Sequence, residues 1–285
     1  MNTWEEDDFE VLAPAGSLPD LQVMLSARPD AIYVGLKGHS SRPSFSDLSI
    51  ADIEKAISLC HREGIKLYVA INSKVSEADF RDVVSEIRQL DKSGADAFIL
   101  SDFGLIRALS NSPIQAEIHA STLLGACNVP TVIILKELGV SRIILYATLY
   151  LDEMVNIINA VPDLDYELVA EGGTCFNDIR QCRLPHFVSG REHVLTCRSG
   201  CILFDANGNA VKGKALAEHP CRVSEVIGIY MAAGIRSFKV EGRTVAANER
   251  IQNVRDLQLS ISRFLSGPPL NAYLHYINRL RREVI

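Results

Sequence analysis

The segments AIYVGL, at Ala31–Leu36, and AFILSD, at Ala97–Asp102, decide the fold of this 285-residue chain. Each contains a short continuous apolar run instead of alternating apolar and polar residues. That pattern is typical of a strand buried on both faces in a parallel sheet. Helical periodicity follows at Ile50–Glu63 and Gly104–Ser110. We therefore predict parallel strands that alternate with helices.

The same alternation continues along almost the whole chain. Six further strands are predicted at Phe9–Pro14, Lys66–Asn72, Ala116–Ala120, Arg142–Ala147, Glu167–Ala170 and Ser237–Glu241. Six further helices are predicted at Leu18–Ala27, Glu77–Lys92, Val129–Leu138, Tyr150–Ala160, Val223–Ala233 and Ala246–Ser266. Four glycines stand where a helix ends with a left-handed residue before a strand, namely Gly64, Gly94, Gly139 and Gly234. Ser17 and Ser76 are predicted to be helix N-caps.

Eight βα units in a chain of this length fit an α/β fold, the TIM-type (β/α)8 barrel, in which one unit could be distorted. A doubly wound open sheet shows the same alternation. However, the segment APAGS after the first strand holds a single glycine, which is not a dinucleotide-binding fingerprint. We expect residues 1–267 to form one barrel domain with an insertion at 171–221, followed by a tail helix at 268–285.

Charge and hydrophobicity limit the environment and the partners of the chain. The formal net charge is −6, so no overall basic field attracts nucleic acid, and we do not expect a nucleic-acid partner. The first eight residues are acidic and polar, unlike a signal peptide. No apolar run approaches the roughly 20 residues of a membrane-spanning helix. We expect a cytoplasmic protein without membrane insertion, whose seven cysteines stay reduced.

A long insertion interrupts the alternation after the seventh strand. It contains four cysteines in the spacing C-x6-C-x14-C-x3-C, namely Cys175, Cys182, Cys197 and Cys201. In a βα barrel this insertion leaves the C-terminal end of a strand, the face on which active sites are built. Polar and charged neighbours argue against a role as apolar core cysteines. We therefore expect these four thiolates to bind a metal centre.

The spacing favours an iron–sulfur cluster. Structural zinc sites usually contain a tight pair such as C-x2-C, which this insertion lacks, whereas clusters accept irregular spacings. Zinc remains the alternative. Cys221, which follows Pro220, is a reserve ligand that could replace one of the four.

Polar residues at the predicted strand ends are candidates for the barrel mouth. His119 and Ser121 end the fifth strand, and we expect His119 to act as a general acid or base and Ser121 to contact substrate. The alternative for His119 is a hydrogen-bonded histidine under the barrel. Asn72 and Asp102 occupy equivalent positions on the third and fourth strands and are further candidates for substrate contact.

Charged residues alternate along the eighth strand. Lys239, Glu241 and Arg243 therefore point to one side, where unpaired charge is costly. A paired set that binds a carboxylate substrate is one hypothesis, with Lys239 and Glu241 as catalytic candidates and Arg243 as a substrate ligand. An ion-pair network that closes the barrel is the other. Arg42, in the loop after the second strand, is a further anion-binding candidate.

Seven segments between about Phe9 and Arg243 carry a resemblance to a known family. They are VLAPAGSLPDL at Val11–Leu21, DAIYVGLKG at Asp30–Gly38, KLYVAINS at Lys66–Ser73, GADAFILSDFG at Gly94–Gly104, IHAST at Ile118–Thr122, LGVSRIIL at Leu138–Leu145 and AGIRSFKVEGR at Ala233–Arg243. Together they resemble peptidase family U32, the collagenase-like peptidases.

The resemblance implies two different activities. The family name implies proteolysis, although the chain has neither a G-x-S-x-G nor an H-E-x-x-H motif. Other members are oxygen-independent hydroxylases of anaerobic ubiquinone synthesis and of tRNA and ribosomal RNA. For these the family implies a 4Fe-4S cluster held by four cysteines, with prephenate as the oxygen donor.

The cysteines match the family in two parts. Cys175 and Cys182 match its C-x6-C pair, whereas Cys197 and Cys201 resemble the C-x3-C pair of the smaller ubiquinone-pathway member. The mixture leaves the identity of the fourth ligand open.

We expect an iron–sulfur-dependent, oxygen-independent hydroxylase of a small aromatic or quinone-type metabolite, with prephenate as a candidate donor. The long C-terminal extension of the RNA-modifying members is missing from this sequence, which favours a small-molecule substrate. Two alternatives stay open. One is a collagenase-like peptidase, and the other is a non-catalytic subunit that carries the cluster in a heterodimer with a related U32-family protein.

Overall fold

In the described residues, eight strands form the wall of the barrel, two short strands pair with members of that wall, and two more form a separate two-stranded sheet. The computed structural model describes residues 4–40, 47–112, 114–146, 149–173, 201–204, 210–213, 220–242, 246–267 and 277, with the backbone alone for 201–204, 210–213 and 220–222. The strands are β1 (Glu10–Pro14), β2 (Ala31–Leu36), β3 (Asp47–Leu48), β4 (Lys66–Ile71), β5 (Ala97–Leu100), β6 (Glu117–Ala120), β7 (Arg142–Ile144), β8 (Asp165–Gly173), β9 (Cys201–Phe204), β10 (Ala210–Gly213), β11 (Pro220–Arg222) and β12 (Ser237–Val240).

Helices connect the strands. They are α1 (Leu18–Leu25), α2 (Ile50–Arg62), α3 (Phe80–Lys92), α4 (Phe103–Ser110), α5 (Val129–Glu137), α6 (Leu151–Ala160), α7 (Ile227–Ala233) and α8 (Ala247–Ser266). None of the helices in the described residues is long and apolar enough to cross a membrane.

The strands close into a barrel. Parallel pairing runs from β1 through β2, β4, β5, β6, β7, β8 and β12, and β12 pairs with β1 again. The predicted eight-stranded βα barrel is therefore confirmed, and the open sheet is excluded. Short β3 adds to the outer edge of β2.

Apolar residues cover both faces of the barrel wall, which explains the continuous apolar runs. A large core lies between the strands and the helices and includes Val34, Phe98 and Leu257. A smaller cluster fills the barrel interior and includes Tyr33 and Ile99. Since neighbouring strand residues point to opposite faces, β1, β2, β4, β5 and β7 each contribute to both clusters.

The predicted turn chemistry was right at five positions and wrong at one. All four helix-ending glycines have positive φ, with values of 73° at Gly64, 94° at Gly94, 85° at Gly139 and 111° at Gly234. The Ser17 hydroxyl caps α1 by accepting from the backbone N–H of Asp20. Ser76 does not start a helix, because its hydroxyl closes a turn on Asp79 and α3 begins only at Phe80.

Most of the tail lies outside the described residues. Ile277 is the exception, and it is fully buried against Val155 of α6 and Ala232 and Ala233 of α7. The tail helix at 268–285 stays a prediction, but this residue shows that the tail reaches the helical layer.

Arg250 joins the last helix to the start of the barrel. Its guanidinium is 3% exposed and donates to the carbonyl of Pro14 at 3.1 Å and to the Asp20 carboxylate at 2.8 and 2.5 Å. We expect Arg250→Met to lower the free energy of unfolding by about 3 kcal/mol, because it leaves the Asp20 charge part-buried without its partner. Urea unfolding measures the change. Arg255→Met, an exposed position on the same helix, should cost less than about 0.5 kcal/mol. Equal losses in the two variants would contradict this role.

Candidate functional site

A charged network occupies the N-terminal end of the barrel interior. The Arg142 guanidinium is 5% exposed and donates to the Glu10 carboxylate, to Asp165 Oδ2 at 2.7 Å and to Ser237 Oγ at 3.2 Å. Burial alone raises the pKa of Glu10, but the charge and hydrogen bonds of Arg142 outweigh it and hold that pKa below its usual value. Because these four residues begin β7, β1, β8 and β12, the network ties strand starts together.

The network continues toward the middle of the barrel. The Tyr68 hydroxyl donates to Glu10 Oε2 at 2.5 Å, and burial followed by the Glu10 charge raises the pKa of Tyr68 strongly. Glu167 has no exposed surface and pairs with Lys239, with 3.3 Å between Oε1 and Nζ. The Lys239 ammonium also lies 4.1 Å from the ring centroid of Tyr33. The interior therefore holds Lys239 by an ion pair and a cation–π contact.

These contacts bear on the set predicted along the eighth barrel strand. Lys239 pairs with Glu167, a partner that the alternation of charges did not reveal. The backbone N–H of Glu241 donates to the carbonyl of Glu171 at 2.7 Å. Arg243 lies outside the described residues, as does Arg42. The ion pair between Lys239 and Glu167 is of the kind expected from the hypothesis of an ion-pair network that closes the barrel. A catalytic role of Lys239 and Glu241 stays a prediction.

His119 lies inside the barrel and is completely buried, not at the mouth where we expected it. Its Nε2 lies 2.9 Å from Glu117 Oε2, and its ring meets Tyr68 edge-on with centroids 4.9 Å apart. The hydrogen bond from His119 lowers the pKa of Glu117 to about 2, and burial lowers the pKa of His119. The imidazole is therefore neutral at pH 7 and donates through Nε2. Its buried Nδ1 has no hydrogen-bond partner among the described residues.

The predicted mouth residues hold loops in place. Asp102 accepts from the backbone N–H of Leu105 at 3.1 Å, which caps α4, and from that of Val75 at 3.2 Å. The Ser121 hydroxyl accepts from the N–H of Leu123, and Ser121 is 2% exposed. Asn72 follows β4 and is half-buried. Their contact with substrate stays a prediction.

Lys74 is a mouth residue that sequence reasoning missed. Its ammonium donates to the carbonyl of Ser101, just after β5, at 2.5 Å. Its position two residues beyond the predicted third strand was the only available signal. The contact places a cation at the C-terminal end of the barrel strands.

The cysteine segment, defined here as residues 174–219, begins and ends at one place. β8 extends to Gly173 and pairs antiparallel with β11, with Pro220 opposite Gly173 and Cys221 opposite Gly172. The expected position at the C-terminal end of a barrel strand is thus confirmed for both ends. Cys175, Cys182 and Cys197 lie outside the described residues. Cys201 begins β9, which pairs with β10.

The described cysteines and acids do not provide another metal site. In the ranges that the structure describes, no group of three or more His, Cys, Asp or Glu side chains could hold a metal ion. Cys60 is buried in α2, and burial raises the pKa of its thiol to about 12, which suits a core residue. Cys127 is exposed. The four cysteines of the insertion, with Cys221 in reserve, remain the candidate ligands.

Comparison with known proteins identifies the family. A family model of peptidase family U32 matches residues 16–282, so the chain belongs to this family. The tRNA hydroxylation protein P of Escherichia coli (strain K12) is 30% identical over 193 residues, which are 67% of this chain and 43% of that protein. The 23S rRNA 5-hydroxycytidine C2501 synthase of the same strain is 30% identical over 242 residues, 82% of this chain and 36% of that protein.

Two further similarities complete the comparison. A collagenase of Porphyromonas gingivalis is 25% identical over 262 residues, 83% of this chain and 61% of that protein. The solved structure of the U32 peptidase Mk0906 superposes with a TM-score of 0.56 at 12% identity, covering 82% of this chain and 93% of that one, which supports the barrel fold alone. The chain spans less than half the length of the two Escherichia coli relatives.

The buried His119 makes stability depend on pH. Because burial holds the pKa of His119 below its ordinary 6.5, the unfolded chain takes up a proton that the folded chain refuses as the pH falls below that value. The folded state therefore loses stability at low pH. We expect His119→Gln, whose amide can still donate to Glu117, to remove this loss of stability. The stability advantage of the wild type over the variant should shrink by up to about 1.4 kcal/mol per pH unit between about pH 6.5 and 5. Urea unfolding across that range measures it, and a constant difference would show that His119 protonates freely in the fold.

Proposed function

We propose that this U32-family chain is an iron–sulfur-dependent, oxygen-independent hydroxylase. The observation that carries the proposal is the position of the cysteine segment, whose two ends meet at the C-terminal end of β8 in a closed βα barrel. Active sites of such barrels lie at this face. Relatives that are 30% identical are named for the hydroxylation of tRNA and for the synthesis of 5-hydroxycytidine in 23S rRNA.

The donor set fits a cluster better than a hydrolytic metal. The candidate ligands Cys175, Cys182, Cys197 and Cys201 are thiolates, which are the ligands of 4Fe-4S clusters, and zinc is the less favoured alternative. When bound, such a cluster would supply electron transfer or Lewis-acid chemistry at the barrel mouth. Cys221 could provide the fourth thiolate in place of Cys201, because its backbone pairs with Gly172 near the end of β8, where the cysteine segment begins.

The chain's own residues would prepare the mouth. Lys74 places an ammonium beside Ser101, and Asp102 fixes the two adjoining loops through the N–H groups of Val75 and Leu105. Lys239 lies deeper in the barrel interior, where it is 8% exposed and paired with Glu167. The Lys74 ammonium suits an anionic substrate or co-substrate, such as a carboxylate donor of the prephenate type.

Two substrate classes follow from different observations. The names of the relatives favour a pyrimidine in RNA, whereas the net charge of −6 favours a small aromatic or quinone-type metabolite. The protein is incubated anaerobically with prephenate and either unmodified RNA or a quinone precursor. Mass spectrometry then shows which of the two substrates gains the mass of one oxygen atom.

Cluster content tests the cofactor. After anaerobic purification we expect about four irons and four acid-labile sulfides per chain, with the brown colour of a 4Fe-4S protein. Cys182→Ser and Cys197→Ser should lose most of the iron, because each removes a ligand. Cys127→Ser, which changes an exposed cysteine away from the segment, should keep it. A colourless protein with stoichiometric zinc would end the proposal.

The fourth ligand is tested by a pair of variants. We expect Cys201→Ser to lose iron and Cys221→Ser to retain it, because Cys197 and Cys201 resemble the C-x3-C pair of the ubiquinone-pathway member. The opposite result would assign Cys221 as the ligand. Cleavage of peptides by iron-free protein, unchanged by these substitutions, would instead favour the collagenase-like activity that the name of the Porphyromonas gingivalis relative suggests.

A further inference from the structure

Glu171 lies where the two ends of the cysteine segment meet. Its backbone pairs with Arg222 of β11 on one side, and its carbonyl accepts from the N–H of Glu241, just beyond β12, at 2.7 Å on the other. Its side-chain Oε1 accepts from the backbone N–H of Ser224 at 3.1 Å, two residues after β11 ends. One residue therefore joins the departing strand, the returning strand and the neighbouring barrel strand.

The side-chain contact is more than a surface hydrogen bond. Glu171 is 6% exposed, and a carboxylate at that depth requires partners. Ser224 lies in the short 3-10 helix Val223–Glu225, whose first N–H groups have no partner within the helix. A carboxylate that accepts from such a group forms a charge-assisted hydrogen bond, which is stronger than a neutral one.

Gly172 shows how tightly this junction is packed. Its φ is +123°, and a Cβ at this position would lie 2.8 Å from the carbonyl oxygen of Glu241 and 2.9 Å from its Cβ. Residues with side chains are excluded by both the contact and the backbone angle. The backbone next to Glu171 is therefore fixed against β12, and its carboxylate has a defined direction.

We propose that Glu171 is a positioning residue for the cluster ligands. Its carboxylate holds the returning end of the cysteine segment at Ser224, so that both ends of the segment stay anchored on the barrel. Anchoring both ends reduces the conformational freedom of the chain between them, which carries Cys175, Cys182, Cys197 and Cys201. The inference rests on the proposed function, and it gives a positioning role to a barrel residue that is not itself a ligand.

The test measures how firmly iron is retained. Anaerobically purified wild-type and variant proteins are mixed with bathophenanthroline disulfonate, and the release of Fe(II) is followed by absorbance. We expect Glu171→Ala to release iron about tenfold faster, because loss of a charge-assisted hydrogen bond shifts local opening by about that factor. Glu171→Gln retains an oxygen acceptor and should stay within about threefold of the wild type. Glu225→Ala removes an exposed carboxylate from the same 3-10 helix and should release iron at the wild-type rate.

Amide hydrogen exchange separates this inference from the cofactor proposal. In iron-free protein, Glu171→Ala should speed exchange at residues 221–224 about tenfold relative to Glu225→Ala. If wild-type protein contains no iron or sulfide, the cofactor proposal fails. If Glu171→Ala exchanges at the wild-type rate at residues 221–224, the anchor is refuted. Faster exchange together with unchanged iron release would show an anchor that does not position the ligands, which overturns the inference. Should Glu171→Ala not fold, Ser224→Pro removes the same hydrogen bond from the donor side, and exchange is then read at residues 221–223 together with iron release.

Discussion

The buried charge of Arg142 is the constraint on which the barrel depends. A guanidinium in the interior must find negative partners, and it finds them in Glu10, Asp165 and Glu167, which belong to β1 and β8. Removing one partner of such a buried pair typically costs about 3–5 kcal/mol. An open sheet would keep Asp165 and Glu167, which lie on the neighbouring strand β8, but would separate Arg142 from Glu10 of β1. The pairing of β1 with β12, which closes the barrel, is therefore favoured by the ion pair between Arg142 and Glu10 as well as by apolar burial.

The same network lies at one end of the barrel. Its residues begin their strands, so the charges of Arg142 and Glu10 lie at the end opposite the cysteine segment. His119 and Lys239 lie between the two ends, and each is engaged by a carboxylate, Glu117 or Glu167. A histidine and a lysine that sequence position alone would assign to catalysis are thus also parts of the buried framework. The mouth residues Lys74 and Asp102 remain outside that framework.

The fold was predictable because continuous apolar runs report burial on both faces, and β2 was predicted to the residue. The limits of prediction are physical. β8 runs from Asp165 to Gly173, well beyond the predicted Glu167–Ala170, because its polar ends pair with neighbours that no local pattern reveals. Likewise, alternation places Lys239 on the interior face but does not identify Glu167 as its partner. Spacing identified the cysteines, whereas the anchor at Glu171 required the return of β11 to be seen.

The extension of β8 links the framework to the proposed chemistry. One strand carries Glu167, which is paired inside the barrel, and four residues later Glu171, which holds the base of the cysteine segment. β12 pairs with β8, and the register shifts between Lys239, which lies opposite Val169, and Val240, which lies opposite Glu171. The irregularity therefore falls between the two glutamates. Bulges commonly redirect a strand next to an active site. The cysteine segment therefore leaves from a continuation of the barrel wall itself.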